Sequence, residues 1–548
     1  MTRSVEATVP PSPPAPRPSK PAPPWKPAHS LALAALILAG LAWRLAVALR
    51  APWYWDEGYM AELARALGHW GRPQAGGLWE DGFFPLSTSL LAPLSAAPLA
   101  NAPWWTAMTG VRLWAVLLEA LSLGLLARLA HQRASPWRAL AATAAYALLS
   151  FAAEHGGRGF YHHLAVPLVL ATLLAGQAVF ENPGRGPWRR VSFCAGLAVA
   201  ACYWLWWLPL SWAVLLAWRR PQGWRAALPW AAAAPVAAVA CNLWPDPAGG
   251  LWSVRCLLAT SSAGGPHGLA AWAAALGADL AALPFLAVGL LGLAVAAWKD
   301  GGRWGWFLAC LACAVLEPVR QRGDIAGMPY PFLLAAPLAA LGAGYLAVAL
   351  APRPSVAARG ALLLAALAYF KPVDLGWMRL WSFDPAPVAE LKGYLAQHAR
   401  PGDLVCGLPE FNWDLRPEFK VCEPFDVGAA EGRVSGFFLA NAPASRFAGP
   451  CRLGALRYAV LSRVQMLGAF RFEGVALTFL EMEQQGWPLV HDNGTFKLYE
   501  NPAFGATADP AARLLLAPQY YQVAADQALR AGRPDLAAFA RSRPAAAP

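Results

Sequence analysis

The sequence predicts a mainly α-helical, polytopic membrane bundle of about 11 transmembrane helices, followed by a C-terminal α/β domain outside the cytoplasm. Hydrophobic residues make up 57% of the 548 residues, charged residues only 14%, and the mean hydropathy is +0.37. This composition excludes an ordinary soluble protein. Helices satisfy their own backbone hydrogen bonds in hydrocarbon, and the 28 Trp suit aromatic belts at the two membrane surfaces.

Long apolar segments mark the expected transmembrane helices. Some of them, such as 139–153, are shorter than the roughly 20 residues that a perpendicular helix needs, so the number of spans is about 11 to within two. The predicted spans are residues 31–49, 104–127, 139–153, 164–180, 191–205, 206–218, 226–244, 271–298, 304–317, 331–350 and 360–376.

The net charge of +12 would suit a nucleic-acid-binding protein, but the positions of the basic residues indicate membrane topology instead. Arg and Lys cluster in alternate loops, which is the positive-inside pattern of membrane proteins. The pattern places the N-terminus in the cytoplasm and the C-terminal domain on the opposite side, and no nucleic-acid partner is expected. The clusters include Arg128, Arg133 and Arg138, Arg185, Arg189 and Arg190, and Arg219, Arg220 and Arg225.

Composition divides the chain into four regions. Residues 1–29 are Pro-rich without hydrophobic periodicity, which predicts a disordered cytoplasmic tail. Residues 30–376 carry the apolar segments and include a long outer loop over 51–103. Residues 377–502 alternate helical and strand patterns, as an extracytoplasmic α/β domain would, and residues 503–548 form a helical C-terminal segment.

Short patterns locate the elements of the C-terminal region. Helical periodicity covers 388–398, strand patterns cover 404–407 and 456–461, and Asn493-Gly494 predicts a β-hairpin turn. Residues 521–529 and 534–541 predict a helical hairpin.

The nine cysteines do not form a metal signature. Cys310 and Cys313 lie in an apolar helical segment without a second ligand pair, which favours buried small residues over zinc binding. Cys406, Cys422 and Cys451 fall in the predicted outer domain, where one disulfide with an open pairing is expected.

An adjacent acidic pair follows the first apolar segment. Asp56 and Glu57 lie within the aromatic stretch Trp53-Tyr54-Trp55-Asp56-Glu57-Gly58-Tyr59. Carboxylates are costly near hydrocarbon, so this placement indicates a functional site at the height of lipid headgroups. The alternative is a solvated helix cap after the first span.

Several landmarks together resemble a known family. They are Asp56-Glu57, Phe84-Pro85-Leu86, Gly110-Val111-Arg112-Leu113, Arg158-Gly159-Phe160-Tyr161 and Tyr330-Pro331-Phe332. Their order resembles that of the polyprenyl-phosphate-dependent membrane glycosyltransferases of the GT-C superfamily, which include protein O-mannosyltransferases and lipid A aminoarabinose transferases. The likeness covers residues 31–350.

The resemblance implies an enzyme of the bacterial cytoplasmic (inner) membrane. It would transfer a sugar from a polyprenyl-phosphate donor to a lipid, glycan or protein acceptor on the extracytoplasmic face. Such a transfer needs a base for the acceptor hydroxyl and cations for the leaving phosphate. Asp56 would be the general base or would hold a divalent cation, and Glu57 would support it as the second catalytic residue.

Other outer residues are candidates for the substrates. The structural alternatives are exposed surface for Glu80 and Asp81, satisfied histidines, a mobile loop at Gly156-Gly157, and ion pairs of Arg320 or Arg322 with Glu317 or Asp324. The predicted substrate-binding residues are Arg158, His162, His163, Arg320, Arg322, Tyr330, Glu80 and Asp81, and the predicted ligands of a divalent metal are Asp56, Glu154 and His155.

Two other classes of function remain as alternatives. A flippase or transporter of lipid-linked saccharides would also need buried charges and aromatic residues, although no internal repeat or pair of Gly/Pro-broken helices stands out in the sequence. The third class is a noncatalytic envelope assembly factor whose C-terminal domain binds protein partners.

Overall fold

A computed structural model describes most of the membrane region and much of the C-terminal region. The predicted site residues Asp56, Glu80, Asp81 and Arg322 lie outside the described residues, as does the predicted span 226–244. The described residues are 25–54, 57–58, 60–61, 63–65, 91–131, 136–160, 162–181, 185–212, 268–301, 303–320, 330–351, 355–373, 382–407, 420–422, 427, 431, 451–462, 475–505, 512–516 and 518–543.

The chain is a multi-pass membrane protein. Within the described part of the chain, three helices are long and apolar enough to cross a membrane, or up to four if a bent pair counts as one span. The three are α1 (Pro27–Arg50), α3 (Ala107–His131) and α6 (His162–Glu181), and a shorter helix α2 (Leu91–Ala100) precedes α3. Because α1 already begins at Pro27, the predicted disordered tail over 1–29 extends too far.

Shorter helices lie in the other predicted spans that fall within the described residues. The predicted span 139–153 divides into α4 (Pro136–Ala147) and α5 (Ser150–Gly156). The remaining helices of this region are α7 (Arg185–Ala201), α8 (Leu269–Ala282), α9 (Pro284–Asp300), α10 (Arg303–Arg320), α11 (Ala336–Leu350) and α12 (Val356–Tyr369).

The prediction of one continuous helix over 271–298 is wrong. Helices α8 and α9 meet there at an angle of 101°. The break lies at Leu283, whose φ of −123° and ψ of 65° are not helical. Proline disfavours the helical conformation of the residue before it, so Pro284 accounts for the bend. The bend is therefore a proline-broken helix, a feature that does not stand out in the sequence.

Glycines let two helices of the bundle touch backbone to backbone. A Cβ added at Gly292 of α9 would overlap the carbonyl group of Gly342 in α11, and one added at Gly342 would overlap the carbonyl group of Gly289. Lipid supplies no hydrophobic driving force between helices, so close packing at small residues stabilises such contacts.

The C-terminal region contains a five-stranded sheet with the order β4-β3-β5-β7-β6. Strand β3 runs parallel to β4 and β5, whereas β7 runs antiparallel to β5 and β6. The hairpin predicted at Asn493-Gly494 is confirmed as β6–β7. The strands are β3 (Leu404–Cys406), β4 (Lys420–Cys422), β5 (Leu456–Ser462), β6 (Leu489–Asp492) and β7 (Phe496–Glu500).

Helices cover both faces of this sheet. Successive strand residues point to opposite faces. Val405 and Phe496 pack in one cluster with α13 (Pro385–His398), and Leu404 and Tyr499 pack in another with the helices that follow. Those helices are α14 (Val475–Gln484) and the predicted helical hairpin, which is present as α15 (Tyr521–Arg530) and α16 (Pro534–Arg541).

The cysteines follow the expected division. Cys422 and Cys451 form a disulfide with a Cα–Cα distance of 5.9 Å, which resolves the pairing, and Cys406 is buried. Cys310 is buried in α10, as a small apolar residue would be.

A second, two-stranded sheet joins the two regions. Strand β1 (Trp53–Tyr54) directly precedes the acidic pair and runs antiparallel to β2 (Ser382–Phe383), which leads into α13. Trp53 lies opposite Phe383, and Tyr54 lies opposite Ser382.

The glycine contact generates a stability prediction. Gly292→Ala should lower the unfolding temperature in detergent, because overpacking typically costs about 1–3 kcal/mol. Gly305→Ala in α10 is the matched control, since a Cβ there would meet nothing within 4 Å. Equal unfolding temperatures for the two variants would contradict the close contact of α9 with α11.

Candidate functional site

Glu57 lies at the centre of a buried polar cluster. Its side chain is fully buried, and each carboxylate oxygen accepts a backbone hydrogen bond: Oε2 from Tyr54 N at 2.9 Å and Oε1 from Gly159 N at 2.7 Å. Arg112 donates to both oxygens, with Nε at 2.9 Å and Nη2 at 2.6 Å. The carboxylate is thus held from β1, from α3 and from the loop after α5.

Arg112 uses all of its donors within the protein. Besides its fork onto Glu57, its Nη1 donates to Ala48 O at 3.2 Å and Ala51 O at 2.8 Å, and its Nη2 donates to Pro52 O at 2.9 Å. These carbonyls belong to the end of α1 and the residues just after it. Arg112 therefore ties α3 to the point where the chain leaves the first helix.

Arg158 is also buried but is less completely bonded. Its Nη1 donates to Pro52 O at 2.9 Å and lies 3.5 Å from Glu57 Oε2. Its Nε is buried, and no described residue accepts a hydrogen bond from it. We refer to Glu57, Arg112 and Arg158 as the outer cluster. It contains one carboxylate and two guanidiniums, and the charge of Glu154 also acts on Arg158.

The charges of the outer cluster set the protonation state of Glu57. Burial by itself would raise the pKa of this carboxyl group. The opposing charge and hydrogen bonds of Arg112, the charge of Arg158 and the hydrogen bond from Gly159 outweigh burial, and the net pKa is lowered. Glu57 is therefore a carboxylate with its lone pairs occupied. This favours a structural role for Glu57 over the catalytic role predicted from the sequence.

A second buried cluster lies among the membrane helices. Arg44 Nε donates to Glu119 Oε2 at 2.9 Å, and Tyr146 Oη donates to Glu119 Oε1 at 3.1 Å. His163 Nδ1 lies 3.3 Å from the same oxygen, and all of these side chains are fully buried. We call Arg44, Glu119, Tyr146 and His163 the inner cluster. It joins α1, α3, α4 and α6.

The predicted substrate-binding histidines lie inside the bundle. His163 Nε2 is 2.9 Å from the carbonyl oxygen of His155, and the His162 ring packs 5.2 Å from that of Trp204. Both rings are fully buried. The hydrogen bonds of His163 favour the structural alternative of a satisfied histidine, and His162 is buried against Trp204.

The predicted metal site is only partly described, because Asp56 lies outside the described residues. His155 Nδ1 lies 2.8 Å from Phe151 O, one helical turn back in α5. In the described ranges no three His, Cys, Asp or Glu side chains lie close enough together to hold a metal ion. Glu154 and His155 thus do not form a ligand set with other described residues, and the divalent cation stays a prediction.

The third predicted group lies at the end of α10. Arg320 donates to Glu317 through Nε at 2.9 Å and Nη2 at 2.6 Å, so the ion pair offered as the alternative is present. The Arg320 side chain remains 33% exposed, so one face of it is still accessible. Tyr330 begins a 3₁₀ turn (Tyr330–Leu334) that leads into α11.

Several of the buried charges were missed by the sequence reasoning. Arg112 was noted only as a landmark, and Arg44 and Glu119 were not singled out. The available signal was their position, because ionisable residues within apolar spans are rare and usually functional or paired. Arg44 falls in the predicted span 31–49, and both others fall in 104–127.

The outer cluster predicts how stability depends on Glu57. Glu57→Gln should lower the free energy of unfolding by about 3–5 kcal/mol, because two buried guanidiniums would lose their counter-charge. Glu390→Gln is the control, since the Glu390 side chain is 57% exposed. Thermal unfolding in detergent measures both. If Glu57→Gln unfolded like the wild type but lost activity, Glu57 would belong to the chemistry.

The effect of Glu57→Gln on the unfolding temperature should depend on pH. The folded-state pKa of Glu57 is lowered from the ordinary 4.5. The stabilisation is therefore present above the ordinary pKa and is lost as the pH falls through the lowered one. The difference in unfolding temperature between wild type and Glu57→Gln should narrow on acidification. A difference that widened would contradict the sign of the shift.

Comparison with known proteins finds no matching family model and no matching curated protein, but solved structures are similar. ArnT from Cupriavidus metallidurans bound to undecaprenyl phosphate has a TM-score of 0.57 and 14% identity, covering 88% of this chain and 99% of its own. The Archaeoglobus fulgidus oligosaccharyltransferase in the apo form has a TM-score of 0.53 and 12% identity, covering 92% and 78%.

A further structure of the Archaeoglobus enzyme, tethered with an acceptor peptide containing the NVT sequon, gives a TM-score of 0.52 and 12% identity, covering 91% of this chain and 77% of its own. At these identities the likeness shows a shared fold.

Proposed function

We propose that this chain, which has the fold of the GT-C membrane glycosyltransferases, transfers a sugar from a polyprenyl-phosphate donor to an acceptor on the extracytoplasmic face of the bacterial cytoplasmic membrane. The undecaprenyl phosphate bound to the similar ArnT supports a lipid-phosphate donor here. The acceptor peptide tethered to the similar oligosaccharyltransferase supports a separate acceptor molecule here.

The observation that carries the proposal is the buried donor of Arg158 that no described residue satisfies. Arg112 is fully occupied within the protein, but the buried Nε of Arg158 has no described acceptor. A guanidinium is well suited to a phosphate, because its donors match the geometry of the phosphate oxygens. We assign the donor phosphate to Arg158, beside Glu57 and close to the end of α1.

The reaction follows from this assignment. The acceptor hydroxyl oxygen attacks the anomeric carbon of the sugar, and the bond from that carbon to the phosphate oxygen breaks. Asp56 takes the proton of the hydroxyl, and the polyprenyl phosphate leaves with an additional negative charge. Arg158 stabilises that charge where it develops. Glu57, tied to Arg112, would act as a positioning residue for this site.

The remaining sequence predictions belong to the same proposal. We place the N-terminus in the cytoplasm, about eleven spans in residues 30–376, and an extracytoplasmic α/β domain in residues 377–502 followed by the helical segment 503–548. The disulfide Cys422–Cys451 supports the outer location of this domain, because disulfides persist in oxidising compartments. The domain would cover the site or recruit the acceptor.

A flippase or transporter of lipid-linked saccharides is the second candidate. The bend between α8 and α9 at Pro284 favours it, since discontinuous helices are common in transporters. A transporter would move the lipid-linked sugar without forming a new glycosidic bond. A noncatalytic assembly factor would do neither.

Asp56 tests the enzyme class. Asp56→Asn keeps the size of the side chain but removes the base, so sugar transfer should fall by about 10²–10⁴. The assay uses purified protein in nanodiscs with a labelled polyprenyl-phosphate sugar and an envelope extract. Asp526→Asn, on the exposed side of α15, is the control. Transfer near the wild-type rate in Asp56→Asn would reject Asp56 as the base.

Arg158 tests the donor site. Arg158→Lys keeps the positive charge but loses the planar fork, so donor affinity should weaken by about tenfold to a hundredfold. Arg530→Lys, on the exposed side of α15, is the control, and unfolding temperatures check that both variants fold. Lipid translocation is measured separately, with the same purified protein reconstituted into vesicles. Translocation without any glycosidic product would favour the flippase.

A further inference from the structure

Strand β1 lies between the C-terminal region and the outer cluster. Trp53 pairs with Phe383 of β2, and Lys392 of α13 places its Nζ 6.0 Å from the centroid of the Trp53 ring. The Trp53 side chain packs against a hydrophobic cluster of the C-terminal region that includes Phe383, Val388, Leu391 and Phe496. It also packs against a second cluster that includes Met60, Ala92, Met108 and Trp114. It therefore bridges two hydrophobic clusters.

The next residue of β1 contacts the outer cluster. Tyr54 N donates to Glu57 Oε2 at 2.9 Å, and the Tyr54 ring packs edge-on against Phe160 at 5.4 Å. Neighbouring residues of a strand point to opposite faces. Thus both residues of β1 pair with β2, and the second of them, Tyr54, also contacts Glu57 through its backbone amide.

We propose that Trp53 is a positioning residue through which the C-terminal region holds the outer cluster in its working geometry. The inference rests on the proposed glycosyltransferase function. A two-residue strand pair is too short to fix its own register. The packing of the partly buried Trp53 with the buried Phe383, and the cation of Lys392 near the Trp53 ring, hold the two strands in register. If this contact loosens, Tyr54 shifts, and with it the backbone donor that orients Glu57.

The kinetic test uses three variants of the full chain in nanodiscs. Trp53→Ala should lower kcat for sugar transfer by about tenfold to a hundredfold, because small displacements of catalytic groups are costly. The KM for the acceptor should change by less than about threefold, since only the donor side is misplaced. Trp53→Phe should recover most of the activity, because a ring of similar shape still fills both clusters.

Leu536→Ala is the matched control for general loss of stability. Leu536 is buried in the other cluster of the C-terminal region, with α15 and α16. It should lower the unfolding temperature of this region but leave kcat within about twofold of wild type. An equal loss of kcat in Leu536→Ala and Trp53→Ala would overturn the proposal, because the effect would then be unspecific.

Hydrogen exchange gives a readout that needs no activity. The amides of Tyr54 and Gly159 both donate to Glu57, so Trp53→Ala should speed exchange in peptides that cover 50–58 and 156–160, and Leu536→Ala should not. Unchanged exchange together with wild-type kcat in Trp53→Ala would overturn the proposal. If Trp53→Ala does not fold, Lys392→Met replaces it, with a smaller expected loss of the same kind.

The two readouts separate this inference from the proposed function. A wild-type protein that makes no glycosidic product would reject the function, and the exchange difference would still show whether Trp53 orders the outer cluster. Sugar transfer that depends on Asp56 but is unaffected by Trp53→Ala would retain the function and reject the inference.

Discussion

The ion pair of Glu57 with Arg112 is the interaction on which the end of the bundle where α1 ends and α3 begins depends. Both side chains are buried, so each would be costly without the other. The cost of burying the two charges is offset because the Glu57 oxygens and all N–H groups of Arg112 have hydrogen-bond partners in several parts of the chain. The pair thereby fixes the end of α1, the start of α3, strand β1 and the loop at Gly159 relative to one another.

A second constraint lies deeper in the membrane region. The inner cluster buries Arg44 against Glu119 and adds donors from Tyr146 and His163, so the first, third, fourth and sixth helices share one satisfied polar network. Small residues allow this approach: a Cβ added at Gly156 would come within 2.8 Å of Arg44 Nε. The outer site is thus built on a rigid base, as preorganised charge stabilisation requires.

The difference between the two clusters has a functional meaning in this account. The inner cluster contains one acid and one arginine beside a histidine, whereas the outer cluster contains a second arginine. The buried Nε of this second arginine, Arg158, has no acceptor among the described residues, and a guanidinium donor favours an anion such as a phosphate. The proposed donor phosphate satisfies that requirement at the position where α1 ends, where a polyprenyl chain can remain in lipid while its headgroup meets the protein.

Much of the fold followed from local patterns in the sequence. Apolar length located α1, α3 and α6, and the Asn-Gly signal located the β6–β7 hairpin, because these signals depend on neighbouring residues. The bend at Pro284 was missed although proline carried the signal. The partners of Glu57 could not be inferred, because Arg112 and Gly159 come from 55 and 102 residues away, and only packing of the helices brings them together. The same holds for the pairing of β1 with β2.

A structure of the protein in nanodiscs with bound polyprenyl phosphate tests the central claim most directly. The account predicts the phosphate within hydrogen-bond distance of the Arg158 guanidinium, with the fork of Arg112 onto Glu57 intact. A phosphate bound away from Arg158, or bound only after Arg112 has released Glu57, would contradict it.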